Sequence, residues 1–209
     1  MHTVFLLGNI ASGKSTAARY LEGKGALRID LDQWAKSLYQ PGSDVVSELV
    51  EAFGFDILDE DGGIKPAALA TRAFETPEAT AVLDGIVHPR LIEKLSAALL
   101  PPVCCSTMAP AHPFAVVEVS APRGFEDAFG LADEVMTVSV PLDERRRRAR
   151  ARGMSEEDFE RRASVQPSEQ DLCAMADVVI DNSGTAEELE ARLDAWLIER
   201  GLLAEGASR

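Results

Sequence analysis

Apolar residues gather in short runs at positions 3–7, 26–29, 115–119, 135–140 and 178–180. Rich in Val, Ile, Leu and Phe and too short for helices, they read as buried strands. Between them the spacing lengthens to a helical period. Residues 16–21 place Ala17, Ala18 and Leu21 on one face, and Leu91, Ile92, Leu95, Ala98 and Leu99 form another stripe. Residues 34–39, 45–53 and 66–74 also read as helices, and Thr76-Pro77-Glu78 opens a further one with Pro in its first turn. Pro41-Gly42 and Asp59-Glu60-Asp61-Gly62-Gly63 are turns, His88-Pro89 is expected to interrupt the helical region 82–99, and Pro101-Pro102 closes it. Late in the chain Thr185 and Glu188 have capping-box spacing, and Leu189, Leu193, Trp196 and Leu197 make the buried stripe of a closing helix. The tail after Ala204 is expected to fray. Strands alternating with helices predict an α/β fold with a parallel sheet, and no internal repeat is visible.

The first strand runs into Gly8-Asn9-Ile10-Ala11-Ser12-Gly13-Lys14-Ser15-Thr16, which fits G-x-x-x-x-G-K-[ST] between a strand and a helix. Consecutive backbone N–H groups must close on phosphate oxygens here. Glycine at the first and sixth motif positions allows the approach, and the following helix N-terminus adds unpaired donors and partial positive charge. Lys14 is placed to reach the β- and γ-phosphates, and Ser15 to ligate Mg²⁺ through its hydroxyl. A glycine turn that merely caps a helix would not call for the lysine.

The second strand ends in Asp30-Leu31-Asp32. In a parallel sheet the carboxyl ends of neighbouring strands open on one crevice, so Asp32 is expected at a strand tip facing the γ-phosphate, with Asp30 behind it as a metal-linked carboxylate. The competing reading makes Asp32 the N-cap of a helix beginning near Gln33. Glu118, near the carboxyl end of the third strand, is either a water-mediated Mg²⁺ ligand or an exposed acid. Six arginines stand between positions 145 and 152. They suit a lid helix that closes over phosphates, with Arg145, Arg148 and Arg152 on one face and Arg146, Arg147 and Arg150 exposed. A second, strongly charged helix follows at 155–164. His88, alone on a helix, reads as structural by its chemistry.

The chain has 209 residues, 46% apolar and 27% charged, with a net charge of −14. That charge argues against nucleic-acid binding, which needs a basic face, but not against ATP, which needs only local donors. No apolar run approaches a membrane span, and the N-terminus leads straight into a strand, so a cytoplasmic protein with no membrane association is expected. Cys104, Cys105 and Cys173 lack the spacing of a disulfide framework or a zinc site and read as reduced, mostly buried thiols.

These motifs in this order resemble the dephospho-coenzyme A kinases. The residues that carry the resemblance are the glycine loop, Ile29-Asp30-Leu31-Asp32, Pro41-Gly42, Phe53-Gly54, Asp61-Gly62, His88-Pro89, the arginine lid, Gln166, and Ala176-Asp177-Val178-Val179-Ile180-Asp181-Asn182-Ser183-Gly184. The resemblance implies a three-layer P-loop kinase core with a five-stranded parallel sheet (1–32, 100–141 and 174–204), a helical acceptor-binding lobe (33–99) and a helical lid (142–173). It implies transfer of the ATP γ-phosphate to the ribose 3′-hydroxyl of dephospho-coenzyme A by a monomer or weak homo-oligomer that uses ATP and Mg²⁺. Carried over, Asn9, Ile10, Ala11, Ser12, Gly13, Lys14, Ser15 and Thr16 bind the ATP phosphates and Asp32 is the general base. Arg148 and Arg152 are lid residues, Asn182 and Gly184 lie beside the adenine, and His88 belongs to the acceptor side. The sequence departs from the family twice. Lys65-Pro66 stands where the family has Asp-Arg, and residues 120–126 replace a Pro-Leu-Leu-x-Glu stretch, with Glu126 as the candidate for its acid. Two rival readings follow: another small-metabolite or nucleoside kinase on the same core, or a nucleotide-binding regulatory protein with weak transfer.

Overall fold

The computed structural model describes residues 1–100 and 111–203. Pro101-Pro102, Cys104, Cys105 and the tail after Ala204 lie outside them. The described chain divides into two compact units, one made of residues 1–30 with the residues from 111 onward, the other of residues 31–100.

In the first unit, β1 (His2–Leu7), β2 (Leu27–Asp30), β3 (Phe114–Glu118), β4 (Glu134–Ser139) and β5 (Val178–Asp181) form one sheet in the order β2-β3-β1-β4-β5. Every pairing is parallel. Side chains alternate across a strand, and β1, β3 and β4 are buried on both faces, which is why these segments read as continuous apolar runs, whereas β5 at the edge leaves Val179 exposed. On one face Val4, Leu6, Val116, Met136, Val138 and Ile180 pack with α1 (Lys14–Gly23) and α9 (Ala186–Glu199) through Ala17, Leu21, Leu189, Leu193 and Leu197. On the other, Phe5 meets Phe129 edge-on at 5.6 Å between ring centres. Phe129 sits in a 3-10 segment, Glu126–Leu131, and α8 (Glu169–Met175) packs against β4. The result is the expected three-layer α/β core. The Thr185–Glu188 capping box opens α9 as anticipated.

Two further helices, α6 (Leu142–Ala151) and α7 (Glu156–Ser164), follow β4. Leu142 to Ala151 is only ten residues, and Arg152 lies past its end at the C-cap. The Arg152 N–H still donates to the Arg148 carbonyl at 3.2 Å, so Arg152 keeps its place one turn on, and burial is what divides the three arginines. Arg145 is 5% exposed, Arg148 is half-buried and Arg152 is exposed.

The second unit is wholly helical apart from short turns. It comprises α2 (Leu31–Leu38), α3 (Asp44–Phe53), α4 (Pro66–Ala73) and α5 (Pro77–Leu99), around Val45, Val46, Leu49, Ile57, Ile64, Leu69 and Ala73. Ser43 caps α3, its hydroxyl accepting from Val46 N–H at 3.3 Å. The acidic turn at 59–63 closes on itself: Asp59 accepts from the backbone N–H groups of Asp61 (3.0 Å) and Gly63 (2.7 Å). Contrary to expectation, His88-Pro89 does not interrupt a helix, and α5 runs through it for 23 residues. A proline clashes with the residue one turn earlier and removes one hydrogen bond. The ring takes the place of the N–H that would bond the Gly85 carbonyl, and the Arg90 side chain donates to the next carbonyl, that of Ile86, at 3.2 Å.

Candidate active site

The loop between β1 and α1 is held in a shape that it would not keep alone. Gly13 sits at the N-cap of α1 with φ +97, and Ala11 adopts φ +61. A left-handed alanine is strained by about 1–2 kcal/mol. Contacts from distant parts of the first unit hold the loop there. The Gln166 side-chain carbonyl accepts from Ile10 N–H at 2.8 Å, and Asn9 donates its amide to the Pro167 carbonyl at 3.1 Å. The Asn182 amide donates to the Ser12 carbonyl at 2.7 Å. A Cβ on Gly13 would lie 2.3 Å from that amide nitrogen, so glycine is required by space as well as by φ.

Lys14 opens α1, is 8% exposed, and donates to the Ser120 hydroxyl at 2.5 Å. Ser120 therefore has a place beside the lysine, although it stands in the segment that departs from the family's pattern. Ser15 follows on the exposed side of the helix and donates its hydroxyl to Glu118 Oε2 at 2.7 Å. Glu118 is 3% exposed, so the exposed-acid reading is wrong. Its other oxygen, Oε1, accepts from Arg28 Nε at 2.8 Å and Nη2 at 2.6 Å. Burial disfavours the Arg28 charge, but the Glu118 contacts outweigh it and raise the guanidinium pKa. Asp30 lies beside this group, in register with Glu118 on the neighbouring strand.

The late segments complete the site. Arg148 Nη2 donates to the Asn182 carbonyl at 2.8 Å and to the Gly184 carbonyl at 3.5 Å, while its Nε pairs with Glu144 at 2.9 Å. Arg147 and Arg148 together pull the Glu144 carboxyl down to about 2. Arg145 donates to the Val140 carbonyl at 3.2 Å and lies 3.8 Å from Glu169, and burial lowers its pKa. Its place is under the helix rather than on a solvent-facing lid. Thr16 and Arg152 are exposed on their helix ends, and Glu126 is exposed at the start of the 3-10 segment. Cys173 is a free, half-buried thiol.

In the second unit, Asp32 is exposed in the first turn of α2. Strand β2 passes into α2 with no intervening loop, because Asp30 ends one and Leu31 begins the other. Asp32 thus stands two residues past the end of β2, inside the first turn of α2 rather than at the N-cap of a helix beginning near Gln33. His88 lies on α5, 3.4 Å from the Asp84 carboxylate one turn earlier. Burial raises the Asp84 pKa, and the neighbouring His88 opposes that rise. Lys65 forms the N-cap of α4, with Pro66 at its first position.

Of the residues expected to act, the fold gathers Asn9 to Ser15, Arg148, Asn182 and Gly184 into one connected group in the first unit. Sequence reasoning missed Arg28, Ser120 and the contact that Gln166 makes. No periodicity marks them, and Gln166 stood out only through the resemblance. No described helix is long and apolar enough to cross a membrane.

Comparison with known proteins agrees with this geometry. The family model described as dephospho-CoA kinase matches residues 2–188. A dephospho-CoA kinase of Corynebacterium diphtheriae is 40% identical over 192 residues, covering 91% of this chain and 92% of the relative. One of Corynebacterium efficiens is 38% identical over 200 residues, covering 95% and 97%. A crystal structure from Thermus thermophilus superposes with a TM-score of 0.76 at 32% identity, covering 95% of this chain and 97% of that one. With a nucleotide loop of the required geometry and a match over nearly its whole length, the chain belongs to the dephospho-CoA kinase family.

Proposed function

We propose that the chain transfers the γ-phosphate of ATP to the ribose 3′-hydroxyl of dephospho-coenzyme A, with Asp32 as general base. The observation that carries this reading is the arrangement at the start of α1: a glycine loop fixed from three sides, a buried Lys14 at the helix N-terminus, and Ser15 held by Glu118. The positive end of the α1 dipole and Lys14 favour the phosphate charge, which is most of what phosphoryl transfer asks of a protein. Asp32 takes the proton of the attacking hydroxyl, so that the oxygen carries more charge as it reaches phosphorus.

Mg²⁺ fits the residues present. Ser15 offers a hydroxyl oxygen whose hydrogen is already directed to Glu118. Among the described residues no group of three His, Cys, Asp or Glu forms a metal cage. Ser15 would hold it with Glu118 behind, and when bound it would neutralise charge on the β- and γ-phosphates. Arg148 braces the loop at 182–184 on which the nucleotide base is expected to rest, and Arg152, exposed at the C-cap of α6, supplies positive charge as a lid residue. His88, held by Asp84, serves the acceptor side.

The test is ADP release with and without dephospho-coenzyme A, for the native chain and for Asp32→Asn. The native chain should release ADP only with the acceptor, and the variant should lose turnover while still binding ATP. Near-normal turnover in the variant refutes the base. Native turnover with a different acceptor from a panel of nucleosides and small alcohols, and none with dephospho-coenzyme A, refutes the substrate.

A further inference from the structure

We propose that Arg28 is a positioning residue for the metal side of the nucleotide site: its guanidinium occupies Glu118 Oε1 and so turns Oε2 onto the Ser15 hydroxyl. This rests on the reading that Mg²⁺ accompanies the nucleotide at Ser15.

The placement follows from strand register. Arg28 on β2 pairs with Val116 on β3, so Glu118, two residues further, is its diagonal neighbour on the same face of the sheet. That face is the one covered by α1, and Val116 packs there with Ala17 and Leu21. Glu118 therefore meets Ser15 from below and Arg28 from the side.

A glutamate carboxylate rotates freely about its last torsion, which is broad and roughly two-fold. The two oxygens are equivalent, so what has to be fixed is the plane of the carboxylate. Both guanidinium nitrogens, Nε at 2.8 Å and Nη2 at 2.6 Å, go to the same oxygen, Oε1. The second oxygen is left for the Ser15 hydroxyl at 2.7 Å. Because that hydroxyl donates to Oε2, its lone pairs are turned away from Glu118 and are free to accept a cation. Arg28 also lies 3.6 Å from Glu22, which steadies the guanidinium from the solvent side. The buried carboxylate thus has a counter-charge whether or not a metal is present, and its orientation does not wait for the ion.

The experiment measures Mn²⁺, which takes similar oxygen ligands and gives an electron spin resonance signal, binding to the protein–ADP complex. It is paired with calorimetric ADP binding in EDTA. Arg28→Met should weaken Mn²⁺ binding about tenfold, the low end of the effect of losing a partner directly behind a metal ligand, because Arg28 acts through Glu118. Arg28→Lys should fall between, and ADP binding without metal should not change. A purely structural role would instead move both constants together, or neither, and either result overturns the inference. Tighter Mn²⁺ binding to Arg28→Met overturns it as well, because repulsion would then outweigh positioning. If Arg28→Met does not fold, Arg28→Gln, which keeps an N–H donor without the charge, carries the test; failure of both to fold assigns the pair to folding and overturns the inference. Native protein that takes up no Mn²⁺ with ADP refutes the metal reading itself, whereas native binding with unaffected variants refutes only the role of Arg28.

Discussion

Replacing Asn182 with Ala should weaken nucleotide binding through the orientation of a single peptide. Ser12 C=O and Gly13 N–H belong to one planar trans unit, so they point in opposite directions. The Asn182 amide donates to that carbonyl at 2.7 Å. It thereby aims the Gly13 N–H the other way, toward the phosphate cradle. Asn182 is itself fixed, since its N–H donates to the Ser139 carbonyl at 2.9 Å and its carbonyl accepts from Arg148 at 2.8 Å. It is 5% exposed, so water does not readily replace its amide.

Truncation to Ala leaves the Ser12 carbonyl without its buried donor, at a cost of about 1–3 kcal/mol. If the loop relaxes by rotating the peptide, most of that cost appears as lost affinity, a factor of roughly 5 to 150. Calorimetric titration with ADP reads this directly, and thermal unfolding reads the stability share. Asn182→Asp should be worse than Ala, because an oxygen would then face the Ser12 carbonyl. The reasoning fails if Asn182→Ala lowers the melting temperature but leaves ADP affinity unchanged, for the peptide would then be aimed by something else.

Other substitutions separate the same effects elsewhere. Gly13→Ala combines a φ of +97 with a Cβ only 2.3 Å from the Asn182 amide nitrogen, and it should abolish ADP binding in the same titration. Leu49→Ala removes a fully buried side chain from the core of the helical unit; unfolding should show a loss of about 2–5 kcal/mol with ADP affinity intact. Glu144, drawn from 4.5 to about 2 by Arg147 and then Arg148, has a depressed folded-state pKa. Its pairing therefore contributes above its ordinary pKa and is lost as the pH falls toward about 2. A carboxyl NMR titration should find the low midpoint, and Arg147→Gln should return it toward 4.5.

Much of this was legible in the chain itself, for local reasons. The strand before Gly8 and the helix after Gly13 are adjacent in sequence, so their motif could be read in one window. The Thr185–Glu188 box spans one turn. The fate of Glu118 was not legible, because it depends on Ser15 and Arg28, which lie 103 and 90 residues away. Pro89 misled because a proline costs a long helix one hydrogen bond without having to end it, and α5 continues to Leu99. The arginine run was read by spacing alone, which does not tell that Arg145 is buried against Val140 and Glu169 while Arg152 is exposed.

The glycine loop shows why the motif alone leaves the site undetermined. Its glycines permit the cradle, but the same freedom permits many other shapes, and Ala11 at φ +61 sits in one that costs energy. Gln166, Pro167 and Asn182, more than 150 residues further on, remove that freedom. Two of the three contacts come from the segment between α7 and α8, and the third from the end of β5. The firmness of the phosphate site is therefore set by the second half of the chain. A change in either segment should alter nucleotide affinity without touching any residue of the motif.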